Sequence, residues 1–80
     1  MSIINNLDEF TTNFLEEYEG IDPGKYNSET KFRNIETWDS LTGMAVVTMI
    51  EDECGVILTD DEFMSCDTIS EVFKLVREKA

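Results

Sequence analysis

The stretch "DSLTGMAVVTMIEDECG", Asp39 to Gly55, decides the fold of this chain. It carries no charge between Asp39 and Glu51, and Leu41, Met44, Val47 and Ile50 recur on one face, with Val46 and Cys54 beside it. That spacing predicts a helix from Ser40 to about Glu53. Gly55 marks its stop, because glycine tolerates the left-handed turn past a helix end. Asp39 is an acceptable N-cap, although neither Thr42 nor Gly43 completes a capping box with it or with Ser40. The Ser40 hydroxyl is then left in the first turn, facing solvent. Gly43 weakens the helix by roughly 1 kcal/mol against alanine. A small residue there clears space for something lying over the first turn.

Downstream, "TDDE" at 59–62 reads as a capping box of Thr59 and Glu62, opening a short helix to about Cys66. "TISE" at 68–71 repeats the device with Thr68 and Glu71. The helix it opens has Ile69, Val72, Phe73 and Val76 on one face and Lys74, Arg77 and Lys79 near its C-terminus, where cations suit the dipole.

Upstream, Ile3, Ile4, Leu7, Phe10, Phe14, Leu15 and Tyr18 recur at spacings of three and four. They predict an amphipathic helix over about residues 3 to 18. "EGIDPGKYNSET" breaks it with two glycines and the only proline. A long loop then runs to about Asp39. Tyr26, Phe32, Ile35 and Trp38 within it are expected to pack back on the core, with Trp38 anchoring the loop end. Loops this long in a compact domain are uncommon and often functional. The expected fold is all-α: a small four-helix bundle of three main helices and a short third helix, with a long loop between helices I and II.

The chain has 80 residues, read as one domain spanning 1–80. A domain of this size buries only about 60% of its unfolded surface, which leaves no room for a deep enclosed active site. Eighteen acids face six bases, for a net charge of −12. That charge repels nucleic acid and anionic membranes and attracts basic protein surfaces. The start "MSIINNLDEF" lacks a basic n-region and a long apolar run, and no segment reaches the roughly 18 apolar residues of a membrane span. The expectation is a cytoplasmic chain with reduced thiols at Cys54 and Cys66, both core fillers.

Histidine is absent, so no Ser-His or Cys-His couple exists. A nucleophilic serine needs an adjacent base. The phosphate-loop pattern is missing, and neither "DDE" nor "EDE" has the spacing and central glycine of a calcium loop. Two cysteines without histidine make no zinc site. No enzyme and no metal site are expected. A serine with no base, on an exposed helix start that favours anions, reads as a substrate of another enzyme.

Here the sequence resembles a known family. "DSL" at Asp39–Leu41 is similar to the attachment motif of acyl carrier proteins, and "MIEDECGVILTDDEFMSCDTISEVFKLV", Met49 to Val76, resembles the end of helix II, the loop, the short helix III and helix IV of that family. The first helix and long loop agree in length and apolar spacing, less specifically. The resemblance implies that Ser40 receives 4'-phosphopantetheine from coenzyme A through a phosphopantetheinyl transferase. The terminal thiol of the group then carries acyl or aminoacyl intermediates of fatty-acid, polyketide or other specialised biosynthesis as thioesters. It implies that acyl-loading and acyl-processing enzymes with basic patches meet a monomer through Asp39, Glu51, Asp52 and Asp60, with Leu41 and Met44 as apolar contacts beside the serine. Val46, Val47 and Ile50 are core first, and would be among the groups lining any sheltered space for an acyl chain. Thr42 and Ala45 stand where many fatty-acid carriers have acids, and the glycine pair frequent before the serine of peptidyl carriers is missing. A dedicated carrier is therefore expected, not a housekeeping one. The alternative is an unmodified acidic protein-interaction module.

Overall fold

The computed structural model describes residues 5–80. Four helices follow one another: α1 (Leu7–Glu16), α2 (Ser40–Cys54), α3 (Asp60–Met64) and α4 (Ile69–Lys79). Two single 3₁₀ turns, Pro23–Lys25 and Phe32–Asn34, interrupt the connection from α1 to α2. No strand forms among the described residues, only an isolated antiparallel bridge between Lys31 and Thr68. The all-α bundle with a long first connection is the architecture the sequence predicts.

Capping fixes the starts. Asn6 Oδ1 accepts the Glu9 N–H and opens α1. This start lies three to four residues inside the predicted one; Ile3 and Ile4 fall outside the described residues. The helix also ends earlier, at Glu16, yet Tyr18 stays in the core and donates its hydroxyl to the Phe32 carbonyl at 2.6 Å. Burial there raises the Tyr18 pKa well above the usual phenol range. Thr59 with Glu62, and Thr68 with Glu71, form the two predicted capping boxes. Gly55 sits at φ 69°, closing α2 in the left-handed conformation open to glycine at little cost. The short α3 ends at Met64, two residues before the predicted Cys66. Its last turn is tightened by Ser65 N–H and Cys66 N–H, which donate to the Glu62 and Phe63 carbonyls.

The core is one apolar cluster, with Phe10, Phe14, Phe32, Val46, Ile50, Ile69, Val72 and Val76 almost wholly withdrawn from water. Helix α1 packs on α4 and on α2. No charged side chain is buried among the described residues. The face of α2 that meets the core is Gly43, Val46, Met49 and Ile50, not the Leu41–Met44–Val47–Ile50 face expected first. An uncharged run offers two apolar faces, and only packing selects between them. Cys66 is buried and Cys54 half-buried against the core; desolvation raises both thiol pKa values, which keeps them protonated.

The long connection is tied down along its length. The Phe32 N–H donates to the Asp67 carbonyl at 3.2 Å, and the Ser70 N–H donates to the Ser28 carbonyl at 2.8 Å. Glu71 stabilises the same junction, accepting the Asp67 and Thr68 N–H groups at 2.9 Å each. Those bonds, the one from Thr68 foremost, hold the Glu71 carboxyl below its usual range. A carboxylate depressed in the folded state stabilises above its unfolded value, about pH 4.3, and that stabilisation is lost as pH falls through the folded value. Glu71→Gln should therefore lower the melting temperature at pH 7, and the gap to the wild type should close below about pH 4. Relief of repulsion among the excess acids acts on both proteins alike. A gap that stays the same from pH 7 down through the acid range would show that charge at Glu71 is irrelevant.

Candidate functional site

Ser40 is the first residue of α2, exposed, and among the described residues its hydroxyl has no hydrogen-bond partner. Asp39 before it is the N-cap. Its Oδ1 accepts the Thr42 N–H at 2.8 Å and the Thr42 hydroxyl at 3.0 Å. These bonds, the backbone one first, hold the Asp39 carboxyl below its usual range. A carboxylate of lowered pKa, already committed as acceptor, is a poor base for the neighbouring hydroxyl. The chain offers Ser40 a position and no activation.

Beside Ser40 a groove of about 640 Å³ opens between α2 and α3. Trp38 and Phe63 form its floor, Met44 and Met64 its two sides, and Ser40 and Asp60 lie on its lining. The Trp38 ring lies 5.4 Å from Phe32, 6.1 Å from Phe63 and 5.9 Å from Tyr18, centroid to centroid. Gly43 makes that floor possible. A Cβ on Gly43 would stand 3.1 Å from Trp38 Cη2 and 3.2 Å from Cζ2, inside comfortable contact. What lies over the first turn of α2 is the protein's own indole. Trp38 is the loop anchor expected from sequence, and it also faces the groove.

Arg33 holds the far wall. Its guanidinium donates to the Cys66 carbonyl at 2.6 Å and to the Phe63 carbonyl at 2.8 Å, satisfying the end of α3. It also lies 4.5 Å from the centre of the Phe32 ring and 5.4 Å from that of Phe63. Lys79, from the last turn of α4, donates to Glu62 Oε1 at 2.5 Å and to the Ile57 carbonyl at 2.7 Å. The short α3 is thus held from both sides.

The residues singled out from sequence divide into two groups. Ser40, Met44 and Asp60 come together on the groove, with Asp39 and Leu41 beside Ser40 on the chain. Leu41 and Met44 are 73% and 66% exposed, an unusual display for apolar side chains at the mouth of a helix. Glu51 and Asp52 are also exposed but lie near the other end of α2, about 17 Å along the axis from Ser40 at 1.5 Å per residue. They form a separate acidic patch. Val46 and Ile50 are sealed in the core and line no groove; of the three residues suggested for a sheltered space, only Val47 reaches it. Sequence reasoning missed Arg33, Phe63 and Met64. The loop around Arg33 has no periodicity to reveal its role, and Phe63 and Met64 lie in a helix too short to show a face.

The sequence matches the family described as the phosphopantetheine attachment site over residues 9–76. The chain belongs to that phosphopantetheine-binding carrier family. No protein of curated function matched the sequence significantly. Carriers of this family hold 4'-phosphopantetheine covalently and are themselves non-catalytic; they work with a phosphopantetheinyl transferase and with biosynthetic enzymes. The residues of this carrier fit such a group: a free hydroxyl at a helix start, opening on an apolar groove that has room for a flexible chain. Among the described residues no helix of the carrier is long and apolar enough to cross a membrane, and no cluster of side chains could hold a metal ion.

Proposed function

We propose that Ser40 is the attachment residue and that the protein, a single carrier domain over residues 1–80, delivers acyl or aminoacyl intermediates to partner enzymes. The observation that supports this most is the Ser40 hydroxyl: exposed, unbonded and without a base, at the edge of the groove. The transferase supplies the missing catalysis. A P–O bond forms to Ser40 Oγ, the hydroxyl proton leaves, and the adenosine bisphosphate part of coenzyme A departs. Once attached, the group supplies a terminal thiol that holds cargo as a thioester.

The first turn of α2 suits the phosphate, since helix starts favour anions. Leu41 and Met44 offer apolar contacts beside the tether, and Asp39, Asp60, Glu51 and Asp52 offer charge to partners with basic patches. The uncharged visible face of α2 (Leu41, Met44, Thr48) favours a dedicated carrier of a specialised fatty-acid, polyketide or related pathway. The same face disfavours the alternative of an unmodified acidic protein-interaction module that binds through acids spread along its surface. The protein so read is a cytoplasmic monomer.

Incubation with coenzyme A and a promiscuous phosphopantetheinyl transferase should add one phosphopantetheine to the intact mass. Wild type left unmodified by several transferases would sink the reading. If the acidic patch steers the encounter, kcat/KM for loading should fall about tenfold as salt shortens the Debye length from about 10 Å to about 3 Å. A flat salt profile would remove Glu51 and Asp52 from partner recognition.

A further inference from the structure

We propose that Trp38 and Gly43 are positioning residues for the loading of this carrier: the indole, seated where Gly43 lacks a Cβ, sets the place from which Ser40 Oγ meets coenzyme A on the transferase. The inference rests on Ser40 as the attachment residue and adds two residues that act on it through the start of α2.

Among the described residues the Ser40 hydroxyl has no partner, so its place is set by the chain around it. The cap of α2 is local. Asp39 Oδ1 accepts the Thr42 N–H at 2.8 Å, and the Asp39 carbonyl accepts the Gly43 N–H at 3.1 Å. These bonds tie the first turn to itself. Trp38, two residues before Ser40, ties that turn to the bundle. Its N–H donates to the Ile35 carbonyl at 2.9 Å. Its ring packs among Phe32, Tyr18 and Phe63, with centroids 5.4, 5.9 and 6.1 Å away. The edge of the same ring lies against α2 at Gly43, which is buried.

On helix propensity alone, position 43 favours alanine, and glycine is a poor choice one turn into a helix. A local rule broken in this way marks a place where packing or function overrides propensity. Here the indole supplies the reason. A Cβ on Gly43 would stand 3.1 Å from Trp38 Cη2 and 3.2 Å from Cζ2, whereas carbons attract best at about 3.5–4.0 Å. One side must shift. The indole retreats only by giving up its contacts with three rings, so the first turn of α2 moves, and Ser40 moves with it. Loading is sensitive to such a shift. A misplacement of about 1 Å at a reacting atom costs about a hundredfold, so a few tenths of an ångström should cost about tenfold. Glu51 and Asp52, at the other end of α2, keep their place, so docking should be spared.

The test measures kcat and KM separately for loading of the full chain by a promiscuous phosphopantetheinyl transferase with coenzyme A, with melting temperature as the control for folding. Gly43→Ala should lower kcat about tenfold and leave KM within about twofold of wild type. If the glycine were no more than a weak point of the helix, Gly43→Ala would melt higher and load at the wild-type rate, and that result would overturn the proposal. A raised KM with unchanged kcat would place the pair in docking and would overturn it too. Trp38→Phe removes Cζ2 and Cη2 and leaves the space underfilled, so kcat should fall about threefold at constant KM. In the Trp38→Phe background, Gly43→Ala should cost less than about twofold more, because the added methyl meets no indole. Equal fold losses in the two backgrounds would show that the residues act independently, against the proposal. If Gly43→Ala does not fold, Trp38→Phe decides alone: a lower kcat at constant KM upholds the positioning role, and a wild-type kcat removes it. A failure of the attachment reading looks different: the wild type gains no mass on loading, or the gain survives in Ser40→Ala.

Discussion

Ser40→Ala should abolish phosphopantetheine loading completely while leaving the fold intact. The two halves of that result come from separate features. Loading is lost because Ser40 offers its hydroxyl beside the groove at the start of a helix whose N-cap, Asp39, is already satisfied, whereas Thr48, the other hydroxyl residue of the lining, lies two turns further along α2. Stability is spared because the Ser40 hydroxyl holds nothing in place: it is exposed and unbonded. Alanine is also the better helix former by a few tenths of a kcal/mol, and surface changes away from special features stay within about 0.5 kcal/mol. Intact mass after the transferase reaction, with melting temperature as the control, measures both. A variant that still gains one phosphopantetheine would move the attachment elsewhere. A variant that loads nothing but has also unfolded would leave Ser40 with a structural role that its geometry denies.

Much of this was legible in the sequence because the signals are local. Thr59 with Glu62 and Thr68 with Glu71 satisfy helix N–H groups within four residues, so three letters of separation suffice to read them. Gly55 works the same way, through one backbone angle. What eluded the sequence depends on distant neighbours. The run from Ser40 to Ile50 is uncharged on every side, and only packing against α1 and the rest of the core decides that Val46 and Ile50 go in while Leu41 and Met44 stay out. The stripe through Phe10, Phe14 and Tyr18 extends beyond the helix because it reports burial, which continues after the helical bonds end at Glu16. Arg33 shows the sharpest limit. The carbonyl oxygens it holds belong to residues thirty or more positions away, and no side-chain pattern can announce them. The motif around Ser40 was legible and the walls of the groove beside it were not. A modification site has a motif, whereas a groove is made by whichever elements come to rest beside it.

Phe32→Ala should be the most damaging single truncation in the connection between α1 and α2. Loss of a buried phenylalanine side chain costs about 3–5 kcal/mol, against a total of about 5–15 kcal/mol for a domain. Phe32 belongs at the high end, because its ring is fully buried and is shared by several elements: Phe14 of α1 at 5.2 Å, Phe63 of α3 at 5.2 Å, Trp38 at 5.4 Å and the Arg33 guanidinium at 4.5 Å. Collapse cannot fill the void easily, since three of these neighbours are rigid rings and the fourth, Arg33, is held by the Cys66 and Phe63 carbonyls. For a domain of this length about 3 kcal/mol lowers the melting temperature by roughly 12–24 °C. Urea unfolding followed by circular dichroism should show the midpoint falling, with folded baseline helicity reduced little. Ile50→Val, also fully buried, should cost only about 0.5–1.5 kcal/mol and serves as the comparison. The site should register the loss of Phe32 as well, because Trp38 then loses its edge-to-face partner and Arg33 the ring beneath it. The emission of the sole tryptophan should move toward that of a solvated indole at temperatures where the helices are still folded. A variant with wild-type emission and a loss under about 1 kcal/mol, less than any large-to-small aromatic truncation in a packed core, would mean that Phe32 is not the nail that holds the long connection, the groove floor and α3 together.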